Sequence, residues 1–269
     1  MSSGLQGEVA LVTGSGRGLG RAMADRLAEL GASVAIHDID ADAPAEFDEA
    51  AHLDQVVDAI GEHGTAVTGV TGDVTDERAV ALMVEEAESA LGPISILVTA
   101  AGGDISIHGG KPEPNNAVDM APEEVRGMLD RNLLGTIFTC QAVCGGMRDR
   151  GRGSVVCIAS AAAHVGCPEG SIYAVAKAGV VHYVRCLAAQ VQPFGVRVNA
   201  VSPGGTVTGR YLATREVDEG QLDPEAPCVS RVGRPEEIAD VVAFLVGQDA
   251  RYVSGKVIGV DGGRLLWPE

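Results

Sequence analysis

The feature that most constrains the fold is a regular alternation of short apolar runs with longer helical patterns along the chain of 269 residues. The apolar runs, which predict strands, lie at residues 9–13, 33–37, 66–70, 96–99, 154–158, 196–201 and 256–260. The helical patterns lie at residues 19–30, 50–63, 77–91, 122–150, 172–192 and 235–245. Because the short runs are continuously apolar, each strand is expected to be covered on both of its faces.

This alternation predicts an α/β fold, namely a doubly wound, Rossmann-type sheet of about seven parallel strands with helices on both faces. No linker or repeat divides the sequence, so residues 1–269 are expected to form a single domain. Two irregular segments, near 102–120 and 206–234, each follow a predicted strand end. Ligands of open α/β sheets bind beyond the carboxyl ends of the strands, so both segments are predicted to line a substrate cleft. A disordered insertion is the alternative for the first segment.

A glycine-rich turn, Thr13-Gly14-Ser15-Gly16-Arg17-Gly18-Leu19-Gly20, joins the first predicted strand to the first predicted helix. Glycines permit a tight turn and a close backbone approach, and the free N–H groups of a helix N-terminus bind phosphate. At this position in an α/β chain, the turn indicates a dinucleotide site. The residues expected to bind that cofactor here are Gly14, Ser15, Arg17, Gly18, Leu19 and Gly20.

The choice between NAD and NADP depends on two residues of opposite charge. Asp38 ends the second predicted strand, where a carboxylate can accept hydrogen bonds from the adenosine ribose and repel the extra phosphate of NADP. Arg17 favours the opposite choice, because a guanidinium in the glycine-rich turn can bind that phosphate. The acid is expected to dominate, since bringing like charges together is costly. NAD is therefore predicted, with NADP less favoured; a helix-capping role is the alternative for Asp38.

Further cofactor contacts are expected after the third and fourth predicted strands. Asp73 and Val74 follow the third strand and are predicted to line the adenine pocket, although an acidic turn residue is an equally simple interpretation of Asp73. Ala100, Ala101 and Gly102 follow the fourth strand, and their small size lets a cofactor pass close to the backbone.

The segment from Ser160 to Lys177 carries the residues expected to perform chemistry. Tyr173 and Lys177 are four residues apart in a predicted helix, so both side chains project from one face. A neighbouring ammonium stabilises a phenolate and is expected to lower the pKa of Tyr173 from its usual value of ~10. The phenol can then exchange a proton with an alcohol or a carbonyl. Ser160 ends the fifth predicted strand, where its hydroxyl can hold the substrate oxygen.

Taken with the glycine-rich turn, this spacing of Ser160, Tyr173 and Lys177 resembles that of the short-chain dehydrogenase/reductase family, in its compact single-domain branch. The resemblance covers nearly the whole chain. It implies that these three residues are catalytic and that Asn132 holds a water in the proton relay behind Lys177. It also implies that Tyr173 and Lys177 contact the cofactor, the lysine through the nicotinamide ribose.

The resemblance extends to two further segments, one of which departs from the family pattern. Asn199-Ala200-Val201-Ser202-Pro203-Gly204 resembles the family segment that flanks the nicotinamide, which implies cofactor contacts from Pro203, Gly204, Thr206 and Thr208. Thr99-Ala100-Ala101-Gly102 stands where the family commonly has Asn-Asn-Ala-Gly. Two side-chain amides that stabilise the central sheet are therefore missing, and Thr99 can supply one hydroxyl in their place.

The expected function is hydride transfer between NAD(H) and a secondary alcohol or ketone. Polar residues in the first irregular segment, and Arg210, Tyr211 and Arg215 in the second, favour a small polar substrate such as a polyol, sugar or hydroxy acid. A bulky apolar alcohol is the alternative substrate. An NADPH-dependent carbonyl reductase, a non-catalytic NAD(P)-binding regulator and a sugar-nucleotide epimerase or dehydratase are the alternative functions.

Composition narrows the partners and the compartment. A formal net charge of −17 disfavours nucleic acid and anionic membranes as partners. No signal peptide or apolar run of membrane-spanning length is recognised, so a cytoplasmic location is expected. The six cysteines form no CxxC pair and are expected to be free, mostly buried thiols, with no metal site. The family resemblance implies a homotetramer, with helices near 122–150 and 172–192 in one interface.

Overall fold

In a computed structural model that describes residues 4–266, the chain forms a seven-stranded sheet in the order β3-β2-β1-β4-β5-β6-β7. Every neighbouring pair of strands is parallel. The strands are β1 (Val9–Thr13), β2 (Ser33–Asp38), β3 (Val67–Thr71), β4 (Ile96–Thr99), β5 (Gly153–Ile158), β6 (Val196–Pro203) and β7 (Val257–Val260). The predicted Rossmann-type fold is confirmed.

Nine α-helices within residues 4–266 connect or flank the strands. They are α1 (Gly18–Glu29), α2 (Leu53–Gly61), α3 (Glu77–Leu91), α4 (Pro122–Leu129), α5 (Gly135–Arg150), α6 (Ser171–Val191), α7 (Gly209–Thr214), α8 (Glu219–Leu222) and α9 (Pro235–Val246). Successive strand residues point to opposite faces of the sheet, so Leu11 and Val12 of β1 enter different cores. Helices α3, α5 and α6 cover the core that contains Leu11, and α1, α2 and α9 cover the other.

The helix predicted over residues 122–150 is confirmed as a helical stretch, with one local departure from α-helical geometry. A π-helical turn, Asp130–Leu134, separates α4 from α5 and points the side chain of Asn132 inward, where it is fully buried. Such turns insert one extra residue into the helical repeat and frequently occur at functional sites. The periodicity of hydrophobic residues is too coarse to detect one inserted residue, so the sequence pattern shows no interruption at the π-helical turn.

The two irregular segments differ in structure. Residues 102–120 contain no helix or strand but are fixed by side chains, since Ser106 donates to Glu124 at 2.5 Å and Asn115 donates to Asp104 at 3.1 Å. The segment 206–234, expected to be irregular, contains the short helices α7 and α8. Each of these helices is too short to show a hydrophobic period in the sequence.

One helix is more apolar than the sequence analysis recognised. Residues Ser171–Phe194 are long and apolar enough to cross a membrane by length and composition alone, with a mean hydropathy of 1.2. Val180 and Val184 of this segment are fully buried in the core against the sheet, and Lys177 is nearly so. Packing as a core helix therefore accounts for its composition.

We predict that Gly20→Ala destabilises the protein, because its β-carbon would lie 2.0 Å from the carbonyl oxygen of Gly14. That backbone cannot move without opening the glycine-rich turn, so the free energy of unfolding should fall by about 1–3 kcal/mol. Gly61→Ala is the matched control, since a β-carbon there meets nothing within 4 Å. Urea denaturation followed by circular dichroism measures both variants, and equal midpoints for the two would contradict the prediction.

Candidate active site

A cleft with a volume of about 740 Å³ opens where the carboxyl ends of the strands meet. Both irregular segments contribute to it, through residues such as Gly103, Ile105 and Ser106 on one side and Tyr211 and Thr214 on the other. The cleft therefore lies where ligands of parallel α/β sheets bind.

Most residues predicted to form the site line this single cleft. They are Gly14, Arg17, Gly18, Leu19, Gly20, Asp38, Asp73, Val74, Ala100, Ala101, Gly102, Ser160, Tyr173, Lys177, Pro203, Gly204, Thr206 and Thr208. Ser15 and Asn132 do not line it, because both side chains are directed into the protein and are fully buried.

Ser15 and His37 hold the glycine-rich turn in shape. Ser15 Oγ donates to the carbonyl of Val12 at 2.6 Å and accepts from the N–H of His37 at 3.0 Å. His37 Nδ1 accepts from the N–H of Gly14 at 3.2 Å, and its Nε2 lies 2.9 Å from the carbonyl oxygen of Gly72. Burial lowers the pKa of His37, so the ring is neutral and joins the turns that follow β1 and β3. Sequence reasoning assigned His37 no role. The feature that could have indicated one is the presence of a polar residue within an otherwise apolar, buried strand.

The carboxylate of Asp38 has a free oxygen directed at the glycine-rich turn. Its Oδ1 accepts from the N–H of Ile39 at 2.9 Å, whereas Oδ2 is buried and has no hydrogen-bond partner within residues 4–266. A β-carbon at Gly16 would lie 2.7 Å from that Oδ2. Leaving a buried oxygen unpaired is costly, so this position fits a ligand with hydroxyl donors, as the adenosine ribose of a dinucleotide provides.

Arg17 is already paired with another residue of the cleft. Its guanidinium forms an ion pair with Glu46 and lies over the ring of Phe47, 4.9 Å from the ring centre. Nearby, the carboxylate of Glu49 accepts the N–H of Gly18 at 2.7 Å. Sequence reasoning missed Glu46 and Glu49, because nothing in their local pattern indicates that the segment after β2 folds back over the turn.

The turn after β4 is stabilised by Thr13 rather than by Thr99. The hydroxyl of Thr13 accepts the N–H groups of Ala100 at 3.1 Å and Ala101 at 3.2 Å. Thr99 instead lies beside the thiol of Cys157, whose pKa it helps to lower after the larger effect of Cys140. The expectation that the Thr99 hydroxyl replaces a missing amide is therefore wrong, because the hydroxyl of Thr13 in the neighbouring strand binds the same turn.

Ser160, Tyr173 and Lys177 come together at the end of β5. Ser160 accepts the N–H of Ala162 at 3.2 Å, at the start of a short 3₁₀ turn. Tyr173 and Lys177 lie in the first two turns of α6, and the ammonium is 5.8 Å from the centre of the tyrosine ring. Lys177 is only 4% exposed, and its Nζ donates to the carbonyl of Ile158 at 2.9 Å.

The electrostatics of this set differ from the expectation. Removal from water raises the pKa of Tyr173, against a hydrogen bond from Ser160 that favours the phenolate. Asp104 raises that pKa further, while Arg215 and Arg210 lower it. Burial lowers the pKa of Lys177 to about 8. The pKa of Tyr173 is thus raised rather than lowered as expected, because desolvation is the largest effect at the phenol.

Asn132 fixes the backbone beside Lys177. Its Oδ1 accepts the N–H of Gly103 at 2.8 Å, and its Nδ2 donates to the carbonyl oxygens of Gly103 and Met128, each at 3.0 Å. A β-carbon at Gly102 would lie 2.6 Å from Asn132 Oδ1 and 3.5 Å from Lys177 Nζ. The asparagine and the lysine thus both lie beside one glycine, and the water-holding role of Asn132 stays a prediction.

Comparison with known proteins shows matches that span this cleft. A family model described as enoyl-(acyl carrier protein) reductase matches residues 14–264. Cyclohexanol dehydrogenase of Rhodococcus sp. (strain TK6) is 40% identical in an alignment 265 residues long, which covers 96% of each chain. The structure of 7α-hydroxysteroid dehydrogenase complexed with NADH and 7-oxo glycochenodeoxycholic acid aligns with a TM-score of 0.84 and 31% identity, over 97% of this chain and 96% of that one. A 3-oxoacyl-[acyl-carrier protein] reductase with bound NAD from Brucella melitensis aligns with a TM-score of 0.81 and 28% identity, over 97% and 92%.

Proposed function

Because the chain belongs to the short-chain dehydrogenase/reductase family, we propose that it oxidises a secondary alcohol, or reduces the matching ketone, with NAD(H). The relatives are dehydrogenases and reductases, so the chain is an oxidoreductase acting on CH–OH or carbonyl groups. The observation that carries the finer proposal is the meeting of Ser160, Tyr173 and Lys177 in one cleft with the unpaired carboxylate oxygen of Asp38.

The acid–base chemistry in this proposal belongs to three side chains. The substrate oxygen lies between the hydroxyls of Ser160 and Tyr173, where Ser160 donates a hydrogen bond as charge develops. Tyr173 accepts the hydroxyl proton during oxidation and returns it during reduction. With a pKa of about 8, Lys177 exchanges protons close to neutral pH and can resupply the tyrosine. NAD, when bound, supplies the hydride acceptor.

The cofactor end of the cleft supports NAD over NADP. Asp38 presents its free oxygen where the ribose hydroxyls are expected, and the helix N-terminus after the glycine-rich turn provides backbone N–H groups. Arg17, the residue that favours NADP, is neutralised by Glu46. Together with Glu49, these acids make the adenosine end repel an additional phosphate. Pro203, Gly204, Thr206 and Thr208 are proposed to contact the nicotinamide end.

The remaining parts of the proposal concern the substrate and the setting of the enzyme. A polar substrate, such as a polyol, sugar or hydroxy acid, agrees with the charged residues that line the cleft. A cytoplasmic location agrees with six free cysteines within the described residues. We also propose a homotetramer that uses α5 and α6, since Leu134, Val175 and Phe194 in or beside these helices are exposed hydrophobic residues.

Tyr173→Phe is expected to reduce kcat for alcohol oxidation by about 10²–10⁴-fold, because the proton acceptor is removed. NAD affinity, measured by fluorescence titration, should change little, since the ring remains. Tyr252→Phe is the matched control, because that side chain is fully exposed at 101% and lies outside the cleft. Unchanged turnover in Tyr173→Phe would remove the tyrosine from the mechanism.

The rate of alcohol oxidation is expected to rise with pH and level off above an apparent pKa near 8. The pKa of Lys177 is lowered to about 8, so the lysine is a charged donor below this value and a neutral acceptor above it. Oxidation releases a proton and therefore needs the neutral form, whereas ketone reduction should show the opposite slope. Initial rates between pH 6 and 10 test this, and a flat oxidation profile would contradict it.

Asp38→Ala is expected to lower kcat/KM for NAD by about 10–100-fold, because hydrogen bonds to a charged group are lost. Glu46→Gln should raise NADP affinity, since it frees Arg17 to bind the additional phosphate. Binding of 2′,5′-ADP and 5′-AMP, measured by calorimetry, tests both effects without turnover. Asp54→Ala, an exposed acid on α2, is the control. A wild-type preference for NADP would instead favour the NADPH-dependent reductase.

A further inference from the structure

The cleft is richer in basic side chains, relative to acidic ones, than the strongly acidic chain as a whole. The chain has 20 lysines and arginines against 37 aspartates and glutamates. Besides the catalytic lysine, the basic residues that line the cleft are Arg17, Lys111, Arg131, Arg210, Arg215 and Arg264. Arg17 is already paired with Glu46, which leaves the other arginines of the cleft as candidates for binding a ligand.

Arg210 is the most enclosed of these arginines. It lies in the first turn of α7, donates to the carbonyl of Gly102 at 2.8 Å, and lies 5.8 Å from the centre of the Phe47 ring. Its Nε is buried without a hydrogen-bond partner, and within residues 4–266 the guanidinium forms no ion pair with a carboxylate. Glu46 and Asp38 stabilise its charge from a distance without forming an ion pair with it, and a buried guanidinium with a free donor suits an anionic partner.

Arg215 approaches the same region from the other end of α7. Its side chain is exposed but lines the cleft, and its guanidinium lies over the ring of Tyr211, 4.7 Å from the ring centre. It too forms no ion pair in the part of the chain that the structure describes. Arg210 donates to the carbonyl of Gly102, whose β-carbon position is 3.5 Å from Lys177 Nζ, so its guanidinium lies close to the catalytic set, and both arginines line the cleft that contains Tyr173.

Two further acids of the cleft, Asp104 and Glu169, do not contact this pair. Asp104 accepts from the amide of Asn115 with both carboxylate oxygens at 3.1 Å, and within residues 4–266 neither acid forms an ion pair with Arg210 or Arg215. Apart from the bond from Arg210 to Gly102, both guanidiniums keep their donors for a ligand. Guanidinium groups bind carboxylates through two parallel hydrogen bonds, which fixes the orientation of the ligand as well as holding it.

We infer that Arg210 and Arg215 form an anion subsite beside Tyr173, and that the substrate is a secondary alcohol carrying a carboxylate. This inference rests on the proposed function and selects a hydroxy acid from the polar substrates considered above. The carboxylate binds the arginines while the alcohol oxygen meets Ser160 and Tyr173. Oxidation then converts the hydroxy acid and NAD⁺ into a keto acid and NADH, and the hydroxyl proton leaves through Tyr173.

A pair of unreactive ligands tests the subsite without turnover. Cyclohexanecarboxylate and cyclohexanecarboxamide have the same ring and differ in charge. Titrated into the enzyme–NADH complex and followed by NADH fluorescence, the carboxylate should bind at least about tenfold more tightly than the amide. Arg215→Gln should bring this ratio close to one. Arg251→Gln, an exposed arginine outside the cleft, should leave it unchanged.

Turnover gives an independent reading of the same subsite. The acid 4-hydroxycyclohexanecarboxylate should have a higher kcat/KM than its methyl ester in the wild type, and Arg215→Gln should reduce that ratio mainly through KM. Equal binding of carboxylate and carboxamide by the wild type, or binding of neither, overturns the inference while the result for Tyr173→Phe still decides the proposed function.

The cofactor also carries an oxyanion, its pyrophosphate, and the variants separate the two sources. If Arg210→Gln and Arg215→Gln weaken NADH binding and leave the carboxylate-to-carboxamide ratio intact, the arginines serve the pyrophosphate and the substrate assignment is wrong. If the ratio falls while NADH affinity stays within about twofold, the carboxylate is the ligand of the subsite.

Discussion

The site depends on the parallel register of the three central strands. Thr13 of β1 lies opposite Thr99 of β4, which in turn lies opposite Cys157 of β5. All three strands therefore end at the same edge of the sheet, and the turns that follow them lie next to one another there. Thr13 then reaches the turn after β4 through two backbone N–H groups, and Lys177 ties α6 to the last residue of β5. Cofactor contacts and acid–base groups share one cleft because of this register.

Burial at that edge sets the chemistry of the catalytic residues more than their mutual attraction does. Desolvation destabilises the phenolate of Tyr173 and the ammonium of Lys177, so it raises the pKa of the phenol and lowers the pKa of the amine. A lysine with a pKa of about 8 exchanges its proton readily near neutral pH. The hydrogen bond from Ser160 and the two arginines of α7 then provide the stabilisation of the phenolate that the sequence pattern attributed to the lysine alone.

The sequence predicted the fold and most of the cleft because those features are local or periodic. Seven apolar runs marked the strands, and a glycine-rich turn or a strand-end residue marked the positions of Gly14, Asp38 and Ser160. What it missed depends on single residues or on contacts distant along the chain. The π-helical turn at Asp130–Leu134 adds one residue to a helical pattern. The ion pair of Glu46 with Arg17 joins two segments that no sequence motif predicts to be in contact. The direction of the pKa shift at Tyr173 required knowledge of burial, which spacing does not give.

Acids and arginines face one another across the cleft. Asp38, Glu46 and Glu49 surround the turn after β1, and the free carboxylate oxygen of Asp38 is the basis of the proposed preference for NAD. Arg210 and Arg215 lie on α7, and Arg210 is 5.8 Å from the centre of the ring of Phe47, the residue next to Glu46. Helix α7 therefore meets the segment after β2, so the charges proposed to select the cofactor and those proposed to bind the substrate act in one shared space.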